Sequence, residues 1–286
     1  MSRDPFARAR RNLTCRRFVQ LLGASVLGTG VWTRFVEPWW LKISERTIPL
    51  GLDGGRLRLL QLTDFHAAPM PLDFLQRSIR TGVGLKPDLI CVTGDFITHK
   101  YDDWDRYAAI LAELAAAAPT FAVLGNHDGG RWARHNGYAN TQLVREMLDR
   151  AHIRLLHNER MPFDHANGRI TLAGLGDWWA DEMHPEEALR EHRRDADRAT
   201  VLLSHNPDTK DLLINEPWDL MLSGHTHGGQ LSLPFVGEPF APIRDRRYVR
   251  DLHRLGDRWL YISSGVGALH TARFNCRPEV SLLTLV

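Results

Sequence analysis

The 286-residue chain is 43 % apolar and 24 % charged, a balance that excludes a disordered polar chain and supports a sizeable core. Its net charge of +2 is uneven: residues 1–17 carry six arginines against one aspartate, leaving the remainder mildly acidic, so no nucleic-acid partner is expected. Three cysteines, Cys15, Cys91 and Cys276, form neither a disulfide framework nor a thiolate metal motif, so any metal must rest on nitrogen and oxygen ligands.

The basic N-terminus runs into residues 18–33, an uncharged stretch shorter than the roughly 20 apolar residues of a membrane span. With Arg16 and Arg17 ahead of it, "TCRRFVQLLG" resembles a twin-arginine export signal, although no small-residue cleavage site follows. Trp32, Trp39 and Trp40 bracket Arg34 and Glu37 as an interfacial belt would. Residues 1–44 are therefore expected to form a retained membrane anchor, ahead of one domain over 45–286. Basic residues before the apolar segment place the N-terminus inside, so a spanning anchor puts the domain outside the cytoplasm. An anchor lying in the interface puts it instead on the cytoplasmic face of the inner membrane.

Beyond residue 45, short apolar runs recur at 57–63, 87–94, 120–126, 153–157, 169–176, 199–205, 218–224, 259–265 and 280–286. Nearly continuous runs of this length suit strands buried on both faces, and Cys91 is expected as a small core residue within one of them. Helical patterns lie between. Asp102 and Asp103 are cap candidates for a helix with the stripe Tyr107, Leu111 and Leu114, ending before Pro119. Residues 140–151 offer Leu143, Val144, Met147 and Leu148, and residues 184–197 open with Pro185 and read as a solvated charged helix. The alternation predicts a layered α/β domain.

Chemistry-bearing side chains stand at five strand ends: Asp64 and His66 in "LTDFHAAP", Asp95 in "VTGDFIT", Asn126, His127 and Asp128 in "LGNHDGG", His205 in "VLLSHNPD", and His225 and His227 in "LSGHTHGG". Singly, each is an ordinary turn or a pair of surface histidines. Five in order along one chain are not, because ligands of α/β sheets collect at the carboxyl ends of strands. Hydrolysis of a phosphate ester needs a nucleophilic hydroxide near neutral pH and neutralisation of phosphoryl charge. Two divalent cations about 3.5–4 Å apart supply both. Asp95, after a glycine, suits a bridging carboxylate. On strand geometry Asp64 and His66, like His225 and His227, point the same way because they are two apart.

The set Asp64-x-His66, Gly94-Asp95, Gly125-Asn126-His127-Asp128, His205 and Gly224-His225-x-His227 closely resembles the calcineurin-like metallophosphoesterase superfamily, over residues 57–286. The resemblance implies an α/β fold: a two-sheet mixed β-sandwich flanked by helices, with metals at the strand ends. One metal would take Asp64, His66, Asp95 and His227; the other would take Asp95, Asn126, His205 and His225. His127 would be a non-ligand catalytic histidine that stabilises the transition state or protonates the leaving oxygen, and Asp128 would orient it or a neighbouring backbone group. The two ions would be divalent Mn, Zn, Fe or Mg, and the implied reaction is attack of a metal hydroxide on a phosphodiester or pyrophosphate bond.

Residues after Asp95 read "FITHK", so the G-D-x-V-D-R-G segment of Ser/Thr protein phosphatases is missing. Thr98 stands where the purple acid phosphatases carry tyrosine, so a redox-active iron tyrosinate is not expected. The "SHNPD" box and the tail from "SGHTHGGQLSLPF" are similar to a membrane-associated bacterial branch that includes a twin-arginine-exported phosphoesterase and UDP-diacylglucosamine pyrophosphatases. The implied substrate is then a lipid-linked phosphate ester such as UDP-diacylglucosamine, or alternatively a generic exported diester or monoester; a metal-binding pseudoenzyme is the remaining rival. Trp178 and Trp179 are read as packing beneath a loop rather than as a lid, and Asp177 as a turn residue. Arg244, Arg246, Arg247 and Arg250 are read as a solvated face, and Arg131 and Arg134 as candidate phosphate contacts.

Overall fold

A computed structural model describes residues 15–52, 55–189 and 198–286. Helix α1 (Cys15–Val31) passes through a π-helical turn (Trp32–Val36) to strand β1 (Lys42–Ile48). Then come β2 (Leu57–Leu62), α2 (Leu72–Val83), β3 (Leu89–Thr93), α3 (Trp104–Ala115), β4 (Thr120–Val123), α4 (Gly130–Ala133), α5 (Gln142–Arg150) and β5 (Arg154–Leu155). The second half holds β6 (Glu159–His165), β7 (Gly168–Gly174), α6 (Pro185–Ala188), β8 (Ala199–Leu203), α7 (Thr209–Leu212), β9 (Leu220–Ser223), β10 (Asp251–Leu255), β11 (Arg258–Ile262) and β12 (Glu279–Leu285). Residues 1–14, and most of the charged helix expected at 184–197, lie outside the described residues.

Two mixed six-stranded sheets result, ordered β1-β12-β2-β3-β4-β5 and β10-β11-β9-β8-β7-β6. The period-two alternation within each run decides the layers. Leu57 and Leu59 of β2, Leu89 and Cys91 of β3, and Phe121 and Val123 of β4 face Leu172, Val201, Leu203 and Leu222 of the other sheet. The intervening Leu60, Leu62, Ile90 and Val92 face outward, onto Leu75 and Ile79 of α2, Leu111 and Leu114 of α3, and Met147 and Leu148 of α5. On the far side Leu202, Met221 and Leu260 pack under Leu213, Trp218 and Leu189. Strands buried on both faces need apolar residues at every position, which is why they read as unbroken runs.

Asp103 stands at the N-cap position of α3 but its side chain makes no capping hydrogen bond; the stripe of α3 is buried as expected, and in α5 Val144, Met147 and Leu148 are buried while Leu143 is exposed. Helix α1 leaves Phe18, Leu22, Val26 and Leu27 exposed to solvent. Among the described residues no helix is long and apolar enough to cross a membrane.

Candidate metal centre

Strands β2, β3 and β9 stop at Leu62, Thr93 and Ser223, and the chain then turns sharply. Asp64, His66, Asp95, His225 and His227 all adopt left-handed backbone conformations, with φ of 54°, 49°, 56°, 70° and 51°. Each such residue costs on the order of 1–3 kcal/mol and persists only where its surroundings over-determine it. Here hydrogen bonds extend the sheets past their ends: Asp64 N–H donates to Gly94 O at 2.9 Å, His66 N–H to Asp95 O at 3.0 Å, and Gly224 N–H to His205 O at 3.0 Å. The paired ligands therefore converge through strained turns and not through strand alternation, which corrects the geometric expectation. The turns pack too closely for side chains between them. A Cβ at Gly125 would lie 2.2 Å from Asp95 Oδ1, and one at Gly224 2.1 Å from Thr63 Oγ1.

The turns bring one atom each from Asp64, His66, Asp95 and His227 within 4.8 Å of one another, all buried. His66 Nε2 and His227 Nε2 stand 3.0 Å apart, and His227 Nε2 is 3.5 Å from Asp64 Oδ1. Asp95 Oδ1 accepts the His127 N–H at 2.9 Å, while its Oδ2 lies 3.5 Å from His66 Nε2 and 3.2 Å from His205 Nε2. Behind His205 comes His225, its Nδ1 3.3 Å from His205 Nε2. Asn126 Oδ1 is buried and has no hydrogen-bond partner among the described residues.

The second ring nitrogens are held from outside. His205 Nδ1 donates to Thr93 O at 2.7 Å and His127 Nδ1 to Thr98 O at 3.0 Å, which fixes each ring and leaves its Nε2 for the cluster. His66 Nδ1 pairs with Thr98 Oγ1 at 2.9 Å. Burial drives His66 and His227 well below the usual imidazole range, and with the charge of His205 it brings His225 down to about 3, so their lone pairs stay free. Burial pushes Asp64 up to about 7. It acts in the same sense on Asp95, but the charges of His205 and His127 outweigh it and hold that carboxyl well below its ordinary range. Two carboxylates, an orphaned amide oxygen and four imidazoles crowded together out of water fit a divalent cation.

Asp128 serves the backbone rather than the cavity. Its oxygens accept the N–H groups of Gly125 at 2.8 Å, Asp95 at 2.9 Å and Phe96 at 2.7 Å, tying the two turns together. Other contributors were not anticipated. Thr98 orients two histidines, and Asn206 Nδ2 reaches His225 Nε2 at 3.3 Å. Arg273 is wholly buried and donates to the carbonyls of Ser264 at 2.8 Å, Gly265 at 3.1 Å, Cys276 at 3.1 Å and His227 at 3.4 Å. No spacing pattern distinguishes a threonine hydroxyl or a single arginine in sequence. Arg131, one candidate phosphate contact, instead makes an exposed pair with Asp181 at 2.9 Å, and Arg134, the other, is exposed and donates to His135 Nε2 at 3.2 Å. Asp177 is a turn residue as expected, accepting the Ala180 N–H at 2.9 Å.

Over this floor opens a cavity of about 340 Å³ with a mainly apolar wall that includes Trp132, Trp179, Pro242 and Leu269. Trp132 and Trp179 stack at 6.1 Å, and Trp132 meets the ring of His127 at 4.4 Å. Trp179 thus does more than pack beneath a loop, because it forms part of the cavity itself.

Residues 57–229 match the calcineurin-like phosphoesterase family. Over 277 residues the chain is 39 % identical to phosphodiesterase YaeI of Escherichia coli, covering 95 % of this chain and 98 % of that one. It is 32 % identical over 276 residues to the uncharacterized metallophosphoesterase YkuE of Bacillus subtilis, covering 92 % of each. Over 317 residues it is 28 % identical to UDP-2,3-diacylglucosamine pyrophosphatase LpxG of Chlamydia trachomatis, covering 92 % of this chain and 94 % of that one.

Proposed function

The chain belongs to the calcineurin-like phosphoesterase family and is a hydrolase of phosphate esters, and from that premise we propose that it holds two divalent cations and cleaves a phosphodiester or pyrophosphate bond in a lipid-linked substrate at a bacterial membrane. Asp64, His66, Asp95 and His227 would hold one ion, and Asp95, Asn126, His205 and His225 the other. The observation that carries this division is the position of Asp95 Oδ2, between His66 Nε2 at 3.5 Å and His205 Nε2 at 3.2 Å. When bound, such ions acidify a water to near-neutral pKa and offset charge on the phosphoryl oxygens.

The chain's own residues do the rest. His127, fixed through Nδ1 on Thr98 O, turns Nε2 to the cavity, where it hydrogen-bonds a phosphoryl oxygen or delivers a proton to the leaving oxygen. Asp128 and Thr98 are positioning residues, acting through the turn of Asp95 and through His66. The tryptophan wall excludes water from one side of the reacting bond and offers an apolar surface to a non-reacting part of the substrate.

A lipid-linked substrate is supported by that apolar wall, by the exposed apolar helix α1 and by the likeness to LpxG, named for its action on UDP-2,3-diacylglucosamine. The likeness to YaeI, named simply a phosphodiesterase, favours the second reading, a general phosphodiesterase. Purified full-length protein loaded with Mn²⁺ is assayed on UDP-2,3-diacylglucosamine, its deacylated analogue and bis-p-nitrophenyl phosphate, with metal counted by elemental analysis. The expected result is two ions per chain and a strong preference for the acylated substrate, both lost in Asp95→Asn. Equal turnover of acylated and deacylated forms selects the general phosphodiesterase, and full activity of Asp95→Asn with no bound cation ends the metal-centre reading. The catalytic domain is proposed to lie outside the cytoplasm for a general exported diester, or on the cytoplasmic face of the inner membrane for a UDP-diacylglucosamine-like substrate, and a C-terminal reporter fusion decides between the two.

A further inference from the structure

Immediately after the ligand turn at His227, residues 231–242 leave the body of the domain and return. Their tip exposes Phe235 at 108 % of its reference area, with Val236 at 61 % and Phe240 at 68 %. One exposed phenylalanine needs no explanation, but three large apolar side chains within six residues do. The tip is well fixed. Leu233 and Gly237 exchange backbone hydrogen bonds at 2.8 and 2.9 Å, and Glu238 beneath them accepts from Ser232 Oγ at 2.8 Å and Arg250 at 3.0 Å. Phe235 itself holds a left-handed φ of 66°, an unfavourable conformation that keeps its ring pointing out.

The position of this tip identifies what covers it. Ser232 N–H donates to Phe274 O at 2.8 Å, Arg273 N–H donates to Thr33 O at 2.9 Å, and Arg34 donates to Thr271 O at 3.2 Å. One hydrogen-bonded path therefore joins the tip to the segment where the exposed apolar helix α1 ends. The cavity adjoins this path, since Pro242, where the excursion ends, and Leu269, two residues before Thr271, form part of its lining. Positive charge surrounds the same region. Arg34 rests on Thr271 O, Arg246 on Pro239 O at 3.3 Å and Arg277 on Trp40 O at 2.9 Å, so carbonyls hold these guanidinium groups and leave their charge available. Arg277 also lies 3.9 Å over the ring of the exposed Trp40, a pairing suited to a headgroup layer.

We propose that the tip at Phe235, Val236 and Phe240 is a second membrane contact, inserted into an anionic bilayer beside the end of α1, so that the cavity mouth opens at the lipid surface between two apolar supports. Basic side chains around paired apolar anchors give the two-signal attachment that a single short segment lacks. The inference rests on the membrane reading above, and the test separates the two.

Full-length protein with Cys15→Ser, whose remaining Cys91 and Cys276 are buried, receives one cysteine at Phe235→Cys, at Leu22→Cys in α1, or at His135→Cys as an exposed control. Each variant carries a nitrobenzoxadiazole label and is mixed with vesicles of phosphatidylethanolamine and phosphatidylglycerol, with or without brominated acyl chains. The expected result is a several-fold emission gain with a blue shift at 235 and at 22, both quenched by brominated lipid, and no change at 135. A label that enters lipid at 22 but stays in water at 235 overturns the proposal and leaves the anchor standing. Entry at 235 alone keeps the tip as a membrane contact but overturns the anchor and, with it, the placement of the cavity mouth between two supports, whereas entry at neither overturns both. Shielding at 235 that grows with protein concentration in the absence of lipid overturns it in favour of a surface between two copies of the chain.

Discussion

Trp179 stands edge-on to His225, their ring centroids 4.4 Å apart and their planes at 90°. A bulky apolar ring is thereby placed directly on a residue of the metal centre, at the wall of the cavity. Since Trp179 stacks in turn on Trp132, the two rings form one surface across the cluster.

On the proposed lipid-linked reading, replacing Trp179 or Trp132 by alanine should weaken capture of the apolar part of the substrate while leaving metal binding unchanged. The loss expected for one aromatic contact is about 1–1.5 kcal/mol, or roughly tenfold in kcat/KM. It should fall on KM for an acylated substrate and be small for bis-p-nitrophenyl phosphate, with metal content unchanged by elemental analysis. An equal loss on both substrates would assign the rings to holding the metal centre instead.

Thr98→Val removes only the hydroxyl that meets His66 Nδ1, because the carbonyl that accepts from His127 is backbone. Loss of such an outer contact typically lowers metal affinity by about 10–100-fold. Competition with a fluorescent chelator should show that drop, and saturating Mn²⁺ should restore kcat. Unchanged affinity would mean that packing alone orients His66.

Asp177 supplies a pH dependence that can be measured on stability alone. It is fully buried, one oxygen has no hydrogen-bond partner among the described residues, and burial pushes it up to about 6. The folded state therefore keeps a proton that the unfolded chain releases near pH 4. Stability should fall as pH rises from about 4 to 6, with a penalty on the order of 2–3 kcal/mol that stays constant above that range. Asp177→Asn preserves the acceptor for Ala180 N–H and removes the charge. Its melting temperature should exceed that of the native protein at pH 7 and match it near pH 4. The opposite ordering at pH 7 would show that the carboxylate is held ionised by a cation.

What could be read from the residues alone follows the physics of burial. Strands covered on both faces, such as β3 with Leu89 to Val92, are apolar at every position and visible as runs. Strands β1, β6 and β10 lie at sheet edges, where residues such as Lys42, Glu45, Asp164 and Arg254 face water, and no run marks them. The residues of the candidate centre were legible because carboxylate, amide and imidazole groups follow strand ends in a fixed order. Their means of convergence was not, since His66 and His227 adopt left-handed conformations without being glycines themselves. Trp132 sits in "GGRWARH", a context with no periodicity, and only the fold places it over His127.

Arg273 gives the sharpest separation of structure from charge. Its guanidinium is buried with no carboxylate among its hydrogen-bond partners in the described residues, and it gathers the carbonyls of Ser264, Gly265, Gly267, Cys276 and His227. Lysine keeps the charge but offers three donors from a point where arginine spreads five over a plane. Arg273→Lys should therefore leave at least one buried carbonyl unpaired, at about 1–3 kcal/mol, and lower the melting temperature by several degrees. Because His227 O is among those carbonyls, its turn should loosen, and the ion assigned to Asp64, His66, Asp95 and His227 should be lost before the other. Elemental analysis across a chelator titration is expected to show a one-ion intermediate in the variant and none in the native protein. Simultaneous loss of both ions in each protein would mean that Arg273 supports the fold at large and not the His227 turn.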